Sequence, residues 1–267
     1  MAGQANRALA TLKSASARGC AWERGVIAND PYLEPIRGPE LEHVLRTSEP
    51  ILEREQARLR PVAPAIVPAP ERKGTRGALV CLHGRADRAA PGTVRSWRAA
   101  VSMGFALVIP QSSRLTVWPD KLFGWTDRDQ SQREIGAAWT TAVEQTPRLG
   151  EVPLVIGGLS IGADYAINIS LSGAPLKPNG FIGVAPPGRE IEIRELPSDL
   201  KPIYGTLIVG VWDYRREAAI RLWTELTGAG AATQLIGVAR VGHAMPPQSI
   251  FAPRLRLALA EILSRRC

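Results

Sequence analysis

From residue 78 onward the chain alternates short apolar runs with segments of helical pattern, and this rhythm limits its architecture more than any other feature. The runs occupy residues 78–82, 106–109, 153–156, 180–184, 205–212 and 233–238. Helical segments occupy 94–103, 131–146, 160–170, 214–226 and 251–263. A strand that is apolar throughout must be covered on both faces, and strands joined through helices run parallel. The expected fold class is therefore α/β, a mostly parallel central sheet flanked by helices.

The first 60 residues have a different character. Leu9, Leu12 and several alanines make a weak apolar stripe. Residues 39–58 make a second helical segment, with Leu41, Val44, Leu45, Ile51 and Leu52 near one face. Pro50 falls inside it, which predicts a kink or a break. Residues 61–70 carry Pro61, Pro64, Pro68 and Pro70. Such a stretch cannot continue a helix or sit in a central strand. The expected organisation is a helical N-terminal extension with a Pro-rich connector over 1–70 and an α/β domain over 71–267.

Composition narrows the class of function. Of the 267 residues, 45% are hydrophobic, enough for a sizeable core. No apolar run approaches the roughly 18 residues of a membrane span. The net charge is +8 and the sequence pI about 9.9. The arginines that supply it are scattered and no binding motif accompanies them, so no nucleic-acid partner is expected. Cys20, Cys81 and Cys267 are three widely spaced cysteines, which is no disulfide framework. With no C-x-x-C pair and only His43, His83 and His243, no metal is expected. The N-terminus lacks the apolar stretch of a secretory signal, and a cytoplasmic location is the default.

The strongest motif is Gly158-Leu159-Ser160-Ile161-Gly162, a G-x-S-x-G where a strand gives way to a helix. The serine of such a sharp turn has a strained backbone, and glycine two residues to either side removes the Cβ that would collide. The turn lifts the Ser160 hydroxyl over the sheet and sets the Ile161 N–H at a helix N-terminus, where it can donate to an oxyanion. A plain serine N-cap would use the same residues.

A serine hydroxyl is a weak nucleophile without a base. His243 is the one histidine after Ser160, and it lies past the sixth apolar run, before the last helix. The acids between them are Asp164, Glu190, Glu192, Glu195, Asp199, Asp213, Glu217 and Glu225. Asp213 directly follows an apolar run, which puts it on the same rim as Ser160, although a helix N-cap could also stand there. The candidate catalytic set is Ser160, Asp213 and His243. The loop Leu82-His83-Gly84-Arg85 offers the N–H of Arg85 as a second oxyanion donor, with His83 packing beside it. Trp118, Phe123 and Trp125 could line an acyl or aromatic pocket or pack over the sheet; Trp118 and Trp125 are the candidates for substrate binding.

Over about residues 77–263 these features resemble the α/β-hydrolase superfamily. The segment from Cys81 to Asp87 with Gly124-Trp125-Thr126-Asp127 is similar to the carboxylesterase/phospholipase branch, which includes acyl-protein thioesterases. That branch tends to show L-H-G-x-G-D, G-F-S-Q-G and a terminal G-H. Here Ala86 replaces the second loop glycine, Ile161 the polar residue after the nucleophile, and Tyr214-Arg215-Arg216 the usual D-x-x-V-P continuation. The resemblance implies a serine hydrolase that cleaves carboxylic esters through an acyl-enzyme, with a small-molecule ester as partner and no cofactor. An amidase, peptidase or thioesterase with the same triad, or a non-catalytic binding relative, are the alternatives. The N-terminal helices could cap the site, brace the fold or form a homodimer surface.

Overall fold

The computed structural model describes residues 2–28, 30–70, 74–189, 191, 193 and 203–264. In chain order they form α1 (Ala2–Ala17), β1 (Ala21–Trp22), α2 (Arg24–Ile27), α3 (Pro39–Gln56), β2 (Ala65–Val67), β3 (Gly77–Leu82), α4 (Val94–Trp97), β4 (Phe105–Ile109), β5 (Leu115–Trp118) and β6 (Leu122–Phe123). There follow α5 (Arg128–Gln145), β7 (Leu154–Leu159), α6 (Ile161–Ser172), β8 (Gly180–Val184), β9 (Tyr204–Gly210), α7 (Arg216–Gly228), β10 (Ala232–Val238) and α8 (Gln248–Ser264). They gather into two compact units. One comprises residues 1–62, 85–87 and 112–126, and the other 63–84, 88–111 and 127–267. A single cut at residue 70 does not separate them, because two segments from the middle of the chain belong to the first unit.

The second unit is built on a seven-stranded sheet in the order β10-β9-β8-β7-β3-β4-β2. All neighbours run parallel except β2, which pairs antiparallel with β4. Every residue of β3, β4 and β8 is buried, which is why these strands read as unbroken apolar runs. One large core cluster joins Leu79, Phe105, Leu107 and Ile182 of the sheet to Trp97, Phe251, Leu255 and Leu259. Trp97 meets Phe251 edge-on, with ring centroids 5.3 Å apart and planes at 88°. Helix α6 is buried from Ile161 to Ile167 without interruption. A helix apolar all round belongs in the interior, and this one packs on β7 and β8.

Sequence boundaries hold with instructive shifts. Residues 94–103 are helical, but α4 tightens into a 3-10 turn over Arg98–Met103. The run 205–212 leaves the sheet at Gly210, and Val211 and Trp212 are exposed. The proline-rich connector contains β2, bracketed by Pro64 and Pro68 at the border of the sheet, where a residue without an N–H is tolerated.

In the first unit, Leu9 and Leu12 of α1 pack with Leu41 and Leu45 of α3 around Ile27 and Ile36. α3 runs as a single helix through Pro50, so of the kink or break expected there the break is absent. The buried Leu41, Val44, Leu45, Ser48 and Leu52 anchor it on both sides of the proline, which costs the helix one N–H donor. A three-stranded antiparallel sheet, β1-β5-β6, completes the unit. Gln56 ties α3 to β5: its side-chain N–H donates to the Ser113 carbonyl (2.9 Å), and its amide oxygen accepts from the Leu115 N–H (2.6 Å).

Candidate active site

Ser160 stands between β7 and α6 with φ 53° and ψ −125°, a left-handed backbone that a residue with a Cβ rarely adopts. Its N–H donates to the Val184 carbonyl at 2.8 Å, and its own carbonyl accepts from the N–H groups of Ala163 (2.8 Å) and Asp164 (3.3 Å). The turn is therefore tied to β8 on one side and to the first turn of α6 on the other. A Cβ on Gly158 would strike the Gly162 carbonyl, and one on Gly162 would strike the His83 carbonyl. The glycines allow the strand, the helix and the end of β3 to approach that closely. The Ser160 side chain makes no cap hydrogen bond to α6. It pairs instead with His243, at 2.8 Å between Oγ and Nε2. Ile161 follows at the helix N-terminus, where the leading N–H groups have no partner within the helix.

His243 lies on the loop between β10 and α8. Gly210 lets the end of β9 press against that loop, since a Cβ there would meet the carbonyl oxygen of Val241 and lie 2.6 Å from that of Gly242. The Trp212 N–H donates to the Val241 carbonyl at 2.9 Å, fastening the two segments. Nδ1 of His243 is 3.1 Å from both Asp213 carboxylate oxygens. A hydrogen-bonded line thus runs from Ser160 Oγ through the imidazole to Asp213. The Asp213 side chain is enclosed, 1% exposed, and that of His243 is 16% exposed.

Asp213 is not the N-cap of α7, which begins at Arg216. Its Oδ1 accepts from the Arg215 N–H at 2.8 Å, closing a turn that fixes the carboxylate before the helix starts. Burial pushes this carboxyl up. The hydrogen bond with His243, the Arg215 N–H and the positive charges of His243 and Arg215 together outweigh burial and hold it below the ordinary carboxylate range. A carboxyl whose folded value is depressed stabilises the fold above its ordinary range and loses that contribution as pH falls through the depressed value. The stability difference between the wild type and Asp213→Asn in thermal unfolding should therefore be fully present above the ordinary carboxylate range and shrink as pH falls through and below it. A gap that is constant across that range would contradict the assigned environment.

The other acids fall elsewhere. Glu190, Glu192, Glu195 and Asp199 lie outside the described residues. Glu217 and Glu225 are exposed on α7. Asp164 is fully buried in α6, and its two oxygens accept from the N–H groups of Gly188 (3.0 Å) and Arg189 (3.1 Å). It holds the segment after β8 to the helix after Ser160, a role whose signal in the sequence was one acid inside an apolar helix. His83 is buried. Gln111 donates to its Nε2 at 3.2 Å, which sets Nδ1 as the protonated nitrogen, donating to the Gly84 carbonyl at 2.8 Å. The Gln111 amide oxygen in turn accepts from the Ala89 N–H at 2.8 Å. Nothing in the sequence pattern pointed to Gln111.

Arg85, Trp118 and Trp125 belong to the first unit. The Arg85 guanidinium reaches Glu23 at 3.3 Å. Trp125 has no exposed surface, and Trp118 is half-buried with the Lys121 ammonium 5.8 Å from its ring centre. Among the described residues no cluster of His, Cys, Asp and Glu could hold a metal ion, and no helix is long and apolar enough to cross a membrane.

No family model matches the chain, and no curated protein does. Solved structures do. An uncharacterized protein from Bacillus cereus ATCC 10987 is 21% identical with a TM-score of 0.59, over 99% of this chain and 83% of that one. Esterase PE8 is 17% identical with a TM-score of 0.59, over 76% of this chain and 100% of its own. Acyl-protein thioesterase 2 of Zea mays is 15% identical with a TM-score of 0.55, over 75% and 99%. Identities this low speak for architecture alone, and that architecture, a mostly parallel central sheet flanked by helices, is the α/β-hydrolase fold.

Proposed function

We propose that the protein is a serine hydrolase that cleaves carboxylic esters by two-step acyl transfer. The observation that carries the reading is the line of hydrogen bonds from Ser160 Oγ to His243 to Asp213, with the serine on a left-handed backbone at a helix N-terminus. In this reading His243 takes the proton as Ser160 attacks the carbonyl carbon. Asp213 holds the imidazole with Nδ1 protonated and offsets the charge that forms on it. The developing oxyanion accepts from the Ile161 N–H, with the N–H of Arg85, one residue past Gly84, as the second donor read from the sequence. His243 then protonates the departing alcohol, and water repeats the cycle to release the acid. The likeness to an esterase supports ester chemistry, and the likeness to a thioesterase makes thioesters the second substrate class for the same residues. Trp118 and Trp125 remain the substrate-binding candidates read from the sequence.

The test is labelling by a fluorophosphonate probe together with hydrolysis of p-nitrophenyl esters from acetate to laurate and of a matched acyl thioester. Labelling with ester turnover is the expected result, and the chain-length optimum measures the acyl pocket. Activity should depend on a neutral His243, because a protonated base cannot accept the serine proton. A folded protein that neither labels nor hydrolyses would be a binding relative of the fold. Faster thioester than ester cleavage would move the assignment to the second class.

A further inference from the structure

We propose that the exposed segment Val211-Trp212-Tyr214 is the surface on which the leaving group rests, and that it selects esters whose alcohol portion is aromatic or bulky and apolar. The proposal rests on the ester-hydrolase reading above and adds the substrate class.

The first observation is where the chain displays apolar surface. Among the described residues six large apolar side chains are strongly exposed, and three of them, Val211 (48%), Trp212 (66%) and Tyr214 (44%), come from four successive positions. The fourth position is the enclosed Asp213. Single exposed apolar residues are ordinary, but a run of them around a buried acid is the kind of patch that meets a ligand.

The second observation is adjacency to the base. The Tyr214 ring lies 5.1 Å from the His243 ring, centre to centre, at 46°. In the acylation step the Ser160 Oγ–carbonyl carbon bond forms and the carbon–oxygen bond to the alcohol breaks, with the electron pair leaving on the alcohol oxygen. The proton that His243 Nε2 took from Ser160 goes to that oxygen. The alcohol must therefore sit beside the imidazole, on which Tyr214 leans.

The third observation is that the segment is held in place. Its backbone is pinned by the bonds from Trp212 N–H to Val241 (2.9 Å), from Val211 N–H to Val238 (2.8 Å) and from Arg216 N–H to the Asp213 carbonyl (2.9 Å). The Arg215 guanidinium lies 5.1 Å from the Tyr214 ring centre, a cation–π contact that favours this ring position. A surface fixed in this way can select a partner without first having to be ordered.

The alcohol is gone once the acyl-enzyme has formed, so selection for it appears in kcat/KM, which reports acylation. The experiment compares methyl acetate with 2-naphthylmethyl acetate, and separately p-nitrophenyl acetate with the octanoate, in the wild type, Trp212→Ala, Tyr214→Ala and Tyr214→Phe. The naphthylmethyl-to-methyl ratio of kcat/KM should fall about tenfold in each alanine variant and persist in Tyr214→Phe, with the acetate-to-octanoate ratio as in the wild type. An equal loss for both alcohols would mean that the segment only props His243, and a change in the acyl ratio would place it on the acyl side; either overturns the proposal. Should the wild type label but cleave none of these esters, the ratio is read from inactivation rates by a p-nitrophenyl phosphonate and by a fluorophosphonate of the same alkyl chain. A folded wild type that fails to label at all sinks the hydrolase reading itself, a failure distinct from an unchanged ratio.

Discussion

Ser160→Ala should lower ester turnover by roughly 10^4- to 10^6-fold and leave a folded protein. The loss is large because the hydroxyl, its base and the acid behind it act as one unit. Without Oγ there is no covalent step, and His243 and Asp213 have nothing to activate. Folding should survive for a reason visible in the local geometry. The left-handed backbone at φ 53° is imposed by the Val184, Ala163 and Asp164 hydrogen bonds, all of which are made by main-chain atoms of residue 160. Alanine meets the same backbone strain as serine, so the variant gives up one side-chain hydrogen bond to a partly exposed histidine, about 1 kcal/mol. Thermal unfolding and p-nitrophenyl acetate hydrolysis on the same preparation are the measurements. Wild-type turnover in a folded alanine variant would remove Ser160 as the nucleophile. Asp213→Asn should also lose activity, by about 10^2- to 10^4-fold, because an amide no longer holds the imidazole in the tautomer that leaves Nε2 free to accept.

The second large effect is on stability. Gly162→Ala should destabilise the protein by about 3 kcal/mol or more, lowering Tm by roughly 6–12 °C or abolishing soluble expression. The added Cβ would strike the His83 carbonyl oxygen and come within 2.9 Å of the Leu82 oxygen. These are main-chain atoms at the end of β3, so no side-chain rotation can make room. Gly158→Ala meets the same difficulty from the other side of the turn, with the Gly162 carbonyl as the obstacle and the Ala163 nitrogen 2.7 Å away. Gly228→Ala is the control. Nothing lies within 4 Å of a Cβ at that helical position, and Tm should stay level or rise slightly. Differential scanning calorimetry on the three variants decides the matter, and a Gly162→Ala protein as stable as wild type would show that the elbow can open without cost.

Much of this arrangement was legible in the residues, and for definite reasons. Strands buried on both faces leave unbroken apolar runs, so β3, β4, β7 and β8 could be read directly. The order Ser160, Asp213, His243, each placed just past a strand, brought together three side chains that are hydrogen-bonded in the structure, although they are 83 and 30 residues apart in the relevant pairs. What escaped was whatever does not repeat. β1 and β6 are two residues long, too short for any alternation to register. The first unit draws residues 85–87 and 112–126 from deep in the sequence of the second, and local pattern carries no sign of such an excursion. Val211 and Trp212 were read as strand because apolarity alone does not tell a buried side chain from one kept at the surface. Asp164 and Gln111 act through hydrogen bonds to distant main-chain groups, which only the folded chain brings within reach.

The brackets around β2 have a consequence for how the protein tolerates crowding. A sheet that ends on an open strand invites a neighbouring chain to add another, and the process has no natural stop. Here the last strand has three residues, and Pro64 and Pro68 on either side offer no N–H to an incoming backbone. A visiting chain would find too few donors in a row to gain a foothold. The prolines that look like mere spacers between two halves of the sequence therefore also act as a colloidal safeguard, closing one flank of the molecule to aggregation.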